Sequence, residues 1–143
     1  MLALQAARDR WPNDAFLRNT FLENRRPFWL ALGWGLVAAI VWLSLTPSPP
    51  KVDFEQSDKV GHFLAYGSLM FWFSQLYVTR KTRLAYAAGF AAMGVALEFI
   101  QGWTGYRDFE LYDMLANATG VALGWAAALI LPRVLPGEGT GTR

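Results

Sequence analysis

Four long apolar runs occupy most of this 143-residue chain, and they constrain its fold more than any other feature. In the first run, Arg26 and Lys51 bracket 24 residues that carry no formal charge. A bilayer core of about 30 Å needs about 20 helical residues to cross it. The chain is therefore predicted to be an all-α, four-helix transmembrane bundle. The predicted spans are residues 27–46, 60–79, 84–103 and 112–131.

The composition agrees with a membrane protein and excludes several other classes. Hydrophobic residues make up 54% of the chain, against roughly 45–50% in soluble domains. No cysteine is present, so disulfide and thiolate chemistry are excluded. The formal net charge of +2 is too small to indicate a nucleic-acid partner. The expected partner is the lipid bilayer itself, and no cofactor is expected.

The chain divides into two tails and one membrane domain. Residues 1–26 form a tail that mixes Leu, Phe and Trp with charges, for which a short interfacial helix and a loosely ordered segment both remain open. Residues 27–135 hold the four spans. Prolines end the last span, because proline blocks helical continuation, and the glycine-rich residues 136–143 are expected to be flexible.

The distribution of Lys and Arg predicts the orientation of the bundle. The two tails and the second loop together carry ten basic residues, whereas the first and third loops carry three. Basic residues accumulate on the cytoplasmic side of a membrane protein. Both termini are therefore expected in the cytoplasm, with the first and third loops outside.

Polar residues gather at the outer ends of the last three predicted helices. Ionisable groups inside a span are costly and usually functional. Asp58, His62 and Tyr66 recur at intervals of four, so they share one helix face. Three helices can thus direct polar groups to one shallow outer pocket. The predicted pocket residues are Asp58, Lys59, His62, Tyr66, Glu98, Gln101, Arg107, Asp113 and Asn117.

Glu98 is the deepest acid in the chain, about five residues below the end of its span. A carboxylate at that depth must be paired, protonated or hydrated. Arg107 is the expected partner, since a guanidinium can hold a carboxylate with two hydrogen bonds. A structural clamp and a functional pair both remain open.

A stripe of small residues in the fourth span predicts close helix packing. Gly120 and Gly124 belong to this stripe, in which Ala or Gly recurs every four residues. Small side chains let helix backbones approach each other in lipid. Packing within the bundle and dimerisation through the same face are the two interpretations.

The order and spacing of the polar residues resemble the pattern of the VanZ-like membrane protein family. The resemblance implies a multi-pass protein of the plasma (cell inner) membrane. The family's name comes from a member associated with low-level resistance to teicoplanin, a glycopeptide that acts on cell-wall precursors. Glu110 departs from the expected pattern, so no role is assigned to it. The matching motifs are Asp58-Lys59-x-x-His62-x-x-x-Tyr66, Glu98-x-x-Gln101, Arg107 and Asp113-x-x-x-Asn117-x-x-Gly120.

Three functions fit the predicted pocket. The first is binding of a polar lipid or cell-envelope precursor, in which Lys59, His62 and Arg107 would contact phosphate. Such binding would affect susceptibility to glycopeptides. The second is an intramembrane enzyme acting on an envelope lipid, with His62 as a general base or metal ligand and Glu98 and Asp113 as further ligands or acid/base groups. The third is a proton-linked carrier, which would need oligomerisation. A single His and the lack of Cys favour binding. No metal is expected, and catalysis is left open.

Overall fold

The computed structural model describes residues 25–47, 57–105 and 109–135. Every regular element within these ranges is an α-helix, as predicted. Three of the helices, α1 (Arg26–Leu45), α3 (Arg80–Thr104) and α4 (Leu111–Ile130), are long and apolar enough to cross a membrane. The expectations for residues 1–24 and 136–143 lie outside the described residues. The other helix in the described ranges is α2 (Ser57–Leu76).

The second helix, α2, is as long as α1 and α4 but more polar. It opens with charged residues and buries Ser74 and Gln75 near its end. It packs against each of the other three helices, so much of its polar surface faces protein instead of lipid. The centre of the bundle is formed by its side chains Tyr66, Leu69, Met70 and Phe73.

The most extensive helix contact joins α2 and α4. A Cβ atom added to Gly120 would meet the carbonyl oxygen of Phe63, and one added to Gly124 would meet that of Gly67. The two backbones therefore touch directly, which only small residues allow. Because the two helices run in parallel, their N-terminal turns lie at the same end of the bundle.

Aromatic side chains connect the remaining helices to α2. Phe73 packs against Tyr86 and Phe90 of α3, with ring centroids 4.7 and 5.3 Å apart. On the other side, the indole N–H of Trp72 donates a hydrogen bond of 3.1 Å to the carbonyl oxygen of Trp29 in α1. These contacts fix α1 and α3 around the central helix.

Side-chain caps set the boundary between α2 and α3. The Thr82 N–H donates to Thr79 Oγ1 at 3.2 Å and so caps the start of α3. Arg83 donates to the carbonyl oxygens of Ser74 and Tyr77 at 2.6 and 2.8 Å, which satisfies carbonyls that the end of α2 leaves open. As a result, α2 ends three residues before the end of the predicted second span. The helix α3 begins four residues before the start of the predicted third span.

The backbone contact between α2 and α4 predicts a large effect for Gly124→Ala. The added methyl group would press on the Gly67 backbone, which cannot rotate away as a side chain can. We expect a loss of about 1–3 kcal/mol in the free energy of unfolding, measured by denaturation in detergent micelles.

Gly89→Ala provides the matched control, because a Cβ at Gly89 meets no atom within 4 Å. We expect this variant to be neutral, or more stable by up to about 1 kcal/mol through its higher helix propensity. Equal stability of the two variants would contradict the close contact between the backbones.

Candidate functional site

The parallel packing of α2 and α4 brings four of the predicted pocket residues together. His62 Nδ1 lies 3.1 Å from Asn117 Oδ1. Its Nε2 lies 3.6 Å from Asp113 Oδ2 and 4.0 Å from Asp58 Oδ1. His62 and Asp113 are largely buried, whereas Asp58 is half exposed. The group opens towards the end of the bundle through Asp58.

A second set of contacts adds Lys59 and an unpredicted residue, Glu110. Lys59 Nζ lies 2.6 Å from Glu110 Oε2 and 3.7 Å from Asp113 Oδ1. The Glu110 N–H also donates to Glu98 Oε2 at 3.4 Å. Glu110 thus joins α2, α3 and α4. We term the group the polar cluster; it comprises Asp58, Lys59, His62, Glu110, Asp113 and Asn117.

One signal in the sequence could have identified Glu110. It immediately precedes α4, where the helix dipole favours an acidic side chain. The basic residue Lys59 begins the helix that packs most closely on α4. Sequence reasoning discounted Glu110 because it departs from the family pattern, although its charge complements that of Lys59.

The other predicted pocket residues have different surroundings. Glu98 and Tyr66 are each 1% exposed, and Tyr66 Oη has no hydrogen-bond partner among the described residues. Gln101 Nε2 donates to the carbonyl oxygen of Ser44 at 2.7 Å and so ties α3 to the end of α1. Arg107 lies outside the described residues, so its pairing with Glu98 stays a prediction.

The contact with Asn117 favours one tautomer of His62. Asn117 is buried, and its Nδ2 side lies against Gly94, where an added Cβ would be only 2.9 Å away. Its Oδ1 faces His62 and can only accept a hydrogen bond, so this arrangement pairs it with a protonated His62 Nδ1. In the neutral imidazole, Nε2 then presents a lone pair to Asp58 and Asp113.

Asp58, His62 and Asp113 lie close enough together to hold a divalent cation between them. Each offers one ligand atom, and these atoms all lie within 4.8 Å of one another. The separations of 3.6 and 4.0 Å are too long for hydrogen bonds. They are close to the roughly 3.4 Å expected between ligands bonded to one ion at about 2.0–2.2 Å. Donation from the second imidazole nitrogen to a carbonyl group is also typical of a metal-binding histidine.

This ligand set differs from the one considered from the sequence. The sequence predicted no metal. Its enzyme alternative used His62 as a general base or metal ligand, with Glu98 and Asp113 as further ligands or acid/base groups. In the structure, Asp58 completes the triad, because it lies one helical turn before His62 on the same face. Protonated His62 bridging the two aspartates is the competing arrangement of the same residues.

Three membrane-length helices, a polar central helix and an ionisable cluster at one end define a small helical membrane protein. Its site is built from the ends of packed helices. The chain belongs to the VanZ/LLP1 family, which it matches over residues 15–132. The resemblance found in the polar motifs is thereby confirmed.

A curated relative extends the comparison to a eukaryote. An uncharacterized protein of Schizosaccharomyces pombe is 32% identical over 77 residues, a match that covers 52% of this chain and 48% of the relative. The chain therefore aligns with about half the length of the curated relative that it matches. No solved structure matches the chain. The activity must therefore be argued from the polar cluster itself.

The pairing of His62 with Asn117 predicts that Asn117→Ala destabilises the fold. The change leaves His62 Nδ1 without its buried acceptor, which should lower the free energy of unfolding by about 1–3 kcal/mol. Thr119→Ala, at an exposed position two residues further along α4, should change it by less than about 0.5 kcal/mol. The effects of Asn117→Ala and His62→Ala should be less than additive. Strict additivity would show that the two side chains do not interact.

Proposed function

We propose that the polar cluster binds the phosphate-bearing head group of an envelope lipid or lipid-linked cell-wall precursor through a divalent cation. One observation carries the proposal: ligand atoms of Asp58, His62 and Asp113 converge at the helix ends. Lipid head groups lie at the level of such ends when the helices cross a bilayer. The cation would be held by these three residues and would present its open coordination positions to the head group.

The charge of this end of the bundle favours a cation over direct binding of phosphate. Lys59 is already held by Glu110 and Asp113, which alters the sequence-based hypothesis that it meets phosphate itself. Among the described residues of this end, the acidic side chains outnumber the basic ones. A bound divalent cation would offset part of this negative charge and offer coordination positions to phosphate oxygens. The basic side chains are Lys59 and His62, and the acidic ones are Asp58, Glu98, Glu110 and Asp113.

We propose further that α2 is the fourth span and that both termini are cytoplasmic. Its 20 residues give a length of about 30 Å, which matches the bilayer core. Its polar first turns and its Arg83-capped last turn then lie at opposite membrane surfaces. The basic residues, ten against three, favour the cytoplasm for the Arg83 end.

In this orientation the polar cluster lies at the outer surface of the plasma membrane. The association of one family member with teicoplanin resistance supports an envelope precursor as ligand, and glycopeptide susceptibility as a cellular readout for this protein. Binding at the outer surface would place the protein where both the drug and its target are found.

Metal-assisted hydrolysis is the second candidate function, and the Asp58–His62–Asp113 triad is the observation that favours it. A cation bound there would lower the pKa of a coordinated water molecule. The water oxygen would attack the phosphorus of the head group and lose its proton to a carboxylate of the cluster. The bond from phosphorus to the leaving oxygen would break, and this oxygen would take up the proton from the carboxylate. The products would be a lipid alcohol with a phosphorylated head group, or a lipid phosphate with a head-group alcohol.

The topology can be tested with single cysteines, because the natural chain has none. In intact cells, a membrane-impermeant maleimide should label Asp53→Cys but not Lys81→Cys. Permeabilised cells should show labelling of both. Labelling of both positions in intact cells would mean that α2 does not cross the membrane, and labelling of Lys81→Cys alone would invert the orientation.

Metal analysis of the purified protein tests the cation site. Protein extracted without chelators should hold about one divalent ion per chain, and His62→Ala or Asp113→Asn should lose it, as removal of one ligand from a three-ligand site predicts.

Glu110→Gln provides the matched control for Asp113→Asn. Both changes remove one carboxylate from the same cluster, but Glu110 is outside the triad, so its variant should keep the ion. A wild-type protein without stoichiometric metal would reject the cation-mediated mechanism and favour the protonated His62 bridge. Loss of the ion in both variants would show that general negative charge, not the triad, retains it.

A further inference from the structure

The end of the bundle opposite the polar cluster is strongly basic. It comprises the starts of α1 and α3, the end of α2 and the residues after α4. None of the residues that the structure describes at this end is acidic. We term it the basic end; its charged residues are Arg25, Arg26, Arg80, Lys81, Arg83 and Arg133.

Three of these arginines come from different elements but converge on the last turn of α2. The Arg26 guanidinium lies over the Tyr77 ring, 5.6 Å from its centroid. Arg83 donates to the carbonyl oxygen of the same Tyr77. Beyond α4, the N–H of the residue after Arg133 donates to Gln75 Oε1 at 3.1 Å. Arg133 is thereby placed close enough to Arg83 for their like charges to repel.

Unsatisfied donors accompany these arginines. The side chains of Ser74 and Gln75 are 0% and 1% exposed, and Ser74 Oγ and Gln75 Nε2 have no hydrogen-bond partner within the described ranges. A native protein pairs most buried polar atoms. These two atoms therefore point to a hydrogen-bond acceptor that is not supplied by the described part of the chain.

The helix dipoles add to the positive field. Both α1 and α3 begin at this end, and neither has an acidic residue in its first turn. Acidic residues are normally favoured there, because the N-terminus of a helix carries a partial positive charge. Basic residues occupy these turns instead, so their charges add to the positive field of the helix ends and attract anions.

We propose that the basic end binds the phosphate group of an anionic phospholipid from the facing leaflet. Arg26 and Arg133 would hold the phosphate oxygens, since a guanidinium forms paired hydrogen bonds with phosphate. Arg83 positions the end of α2 through its hydrogen bonds to the carbonyl oxygens of Ser74 and Tyr77. The site is separate from the polar cluster and does not depend on the function proposed for it.

Thermal unfolding of the full chain in a neutral detergent tests this site. Added phosphatidylglycerol should raise the unfolding midpoint by about 5 °C more than phosphatidylcholine, because a ligand of the folded state stabilises it. Arg133→Gln should lose at least half of that difference, and Arg26→Gln combined with Arg133→Gln should abolish it.

Lys81→Gln is the matched control, because it removes one positive charge from an exposed position at the same end. This variant should keep the response to phosphatidylglycerol. An equal loss in Lys81→Gln and Arg133→Gln would overturn the site and leave only general attraction between basic residues and an anionic surface.

Two further measurements test whether Arg133→Gln is folded and whether free phosphate can replace the lipid. Arg133 is exposed and follows α4, so Arg133→Gln should unfold at the wild-type midpoint in phosphatidylcholine, which shows that the fold is intact. Inorganic phosphate at millimolar concentration should leave the midpoint unchanged. If it reproduces the full effect of phosphatidylglycerol, the phosphate ligand is a soluble ion and the assignment to lipid is wrong.

Discussion

Direct contact between the backbones of α2 and α4 is the constraint on which the rest of the structure depends. Gly67, Gly120 and Gly124 allow the two helices to touch, and the contact fixes their register. That register places His62 beside Asp113 and Asn117. A shift of one residue would turn a helix by about 100° and separate these groups. The packing of the bundle and the geometry of the polar cluster are therefore set by one contact.

The two ends of α2 are stabilised in different ways. Unsatisfied backbone groups are costly in a bilayer, and Arg83 satisfies two carbonyl groups near the C-terminus of α2. The opposite end instead concentrates ionisable side chains whose charges are only partly balanced among the described residues. The C-terminal end of α2 is thus closed by hydrogen bonds from an arginine side chain to the backbone, while its N-terminal end is packed against ionisable side chains of both signs.

Much of this arrangement was predictable from the sequence. The four helices follow from the apolar runs, and the shared face of Asp58 and His62 follows from their spacing. Long-range pairings were not predictable, because helical periodicity carries no information about partners on other helices. The bond from Gln101 to Ser44 spans 57 residues. Glu110 precedes its helix, so no periodic pattern singles it out.

The polarity of α2 also has a consequence for how the protein is made. Its neighbours are long and apolar enough to cross a membrane, whereas α2 is as long as α1 and α4 but more polar. If α2 crosses the bilayer as proposed, its polar face becomes sheltered only when α4, the last of the described helices, packs against it. Stable membrane insertion of α2 and completion of the polar cluster are then one late step of biogenesis. A chain truncated before α4 would lack the site and would also hold its central helix insecurely in the membrane.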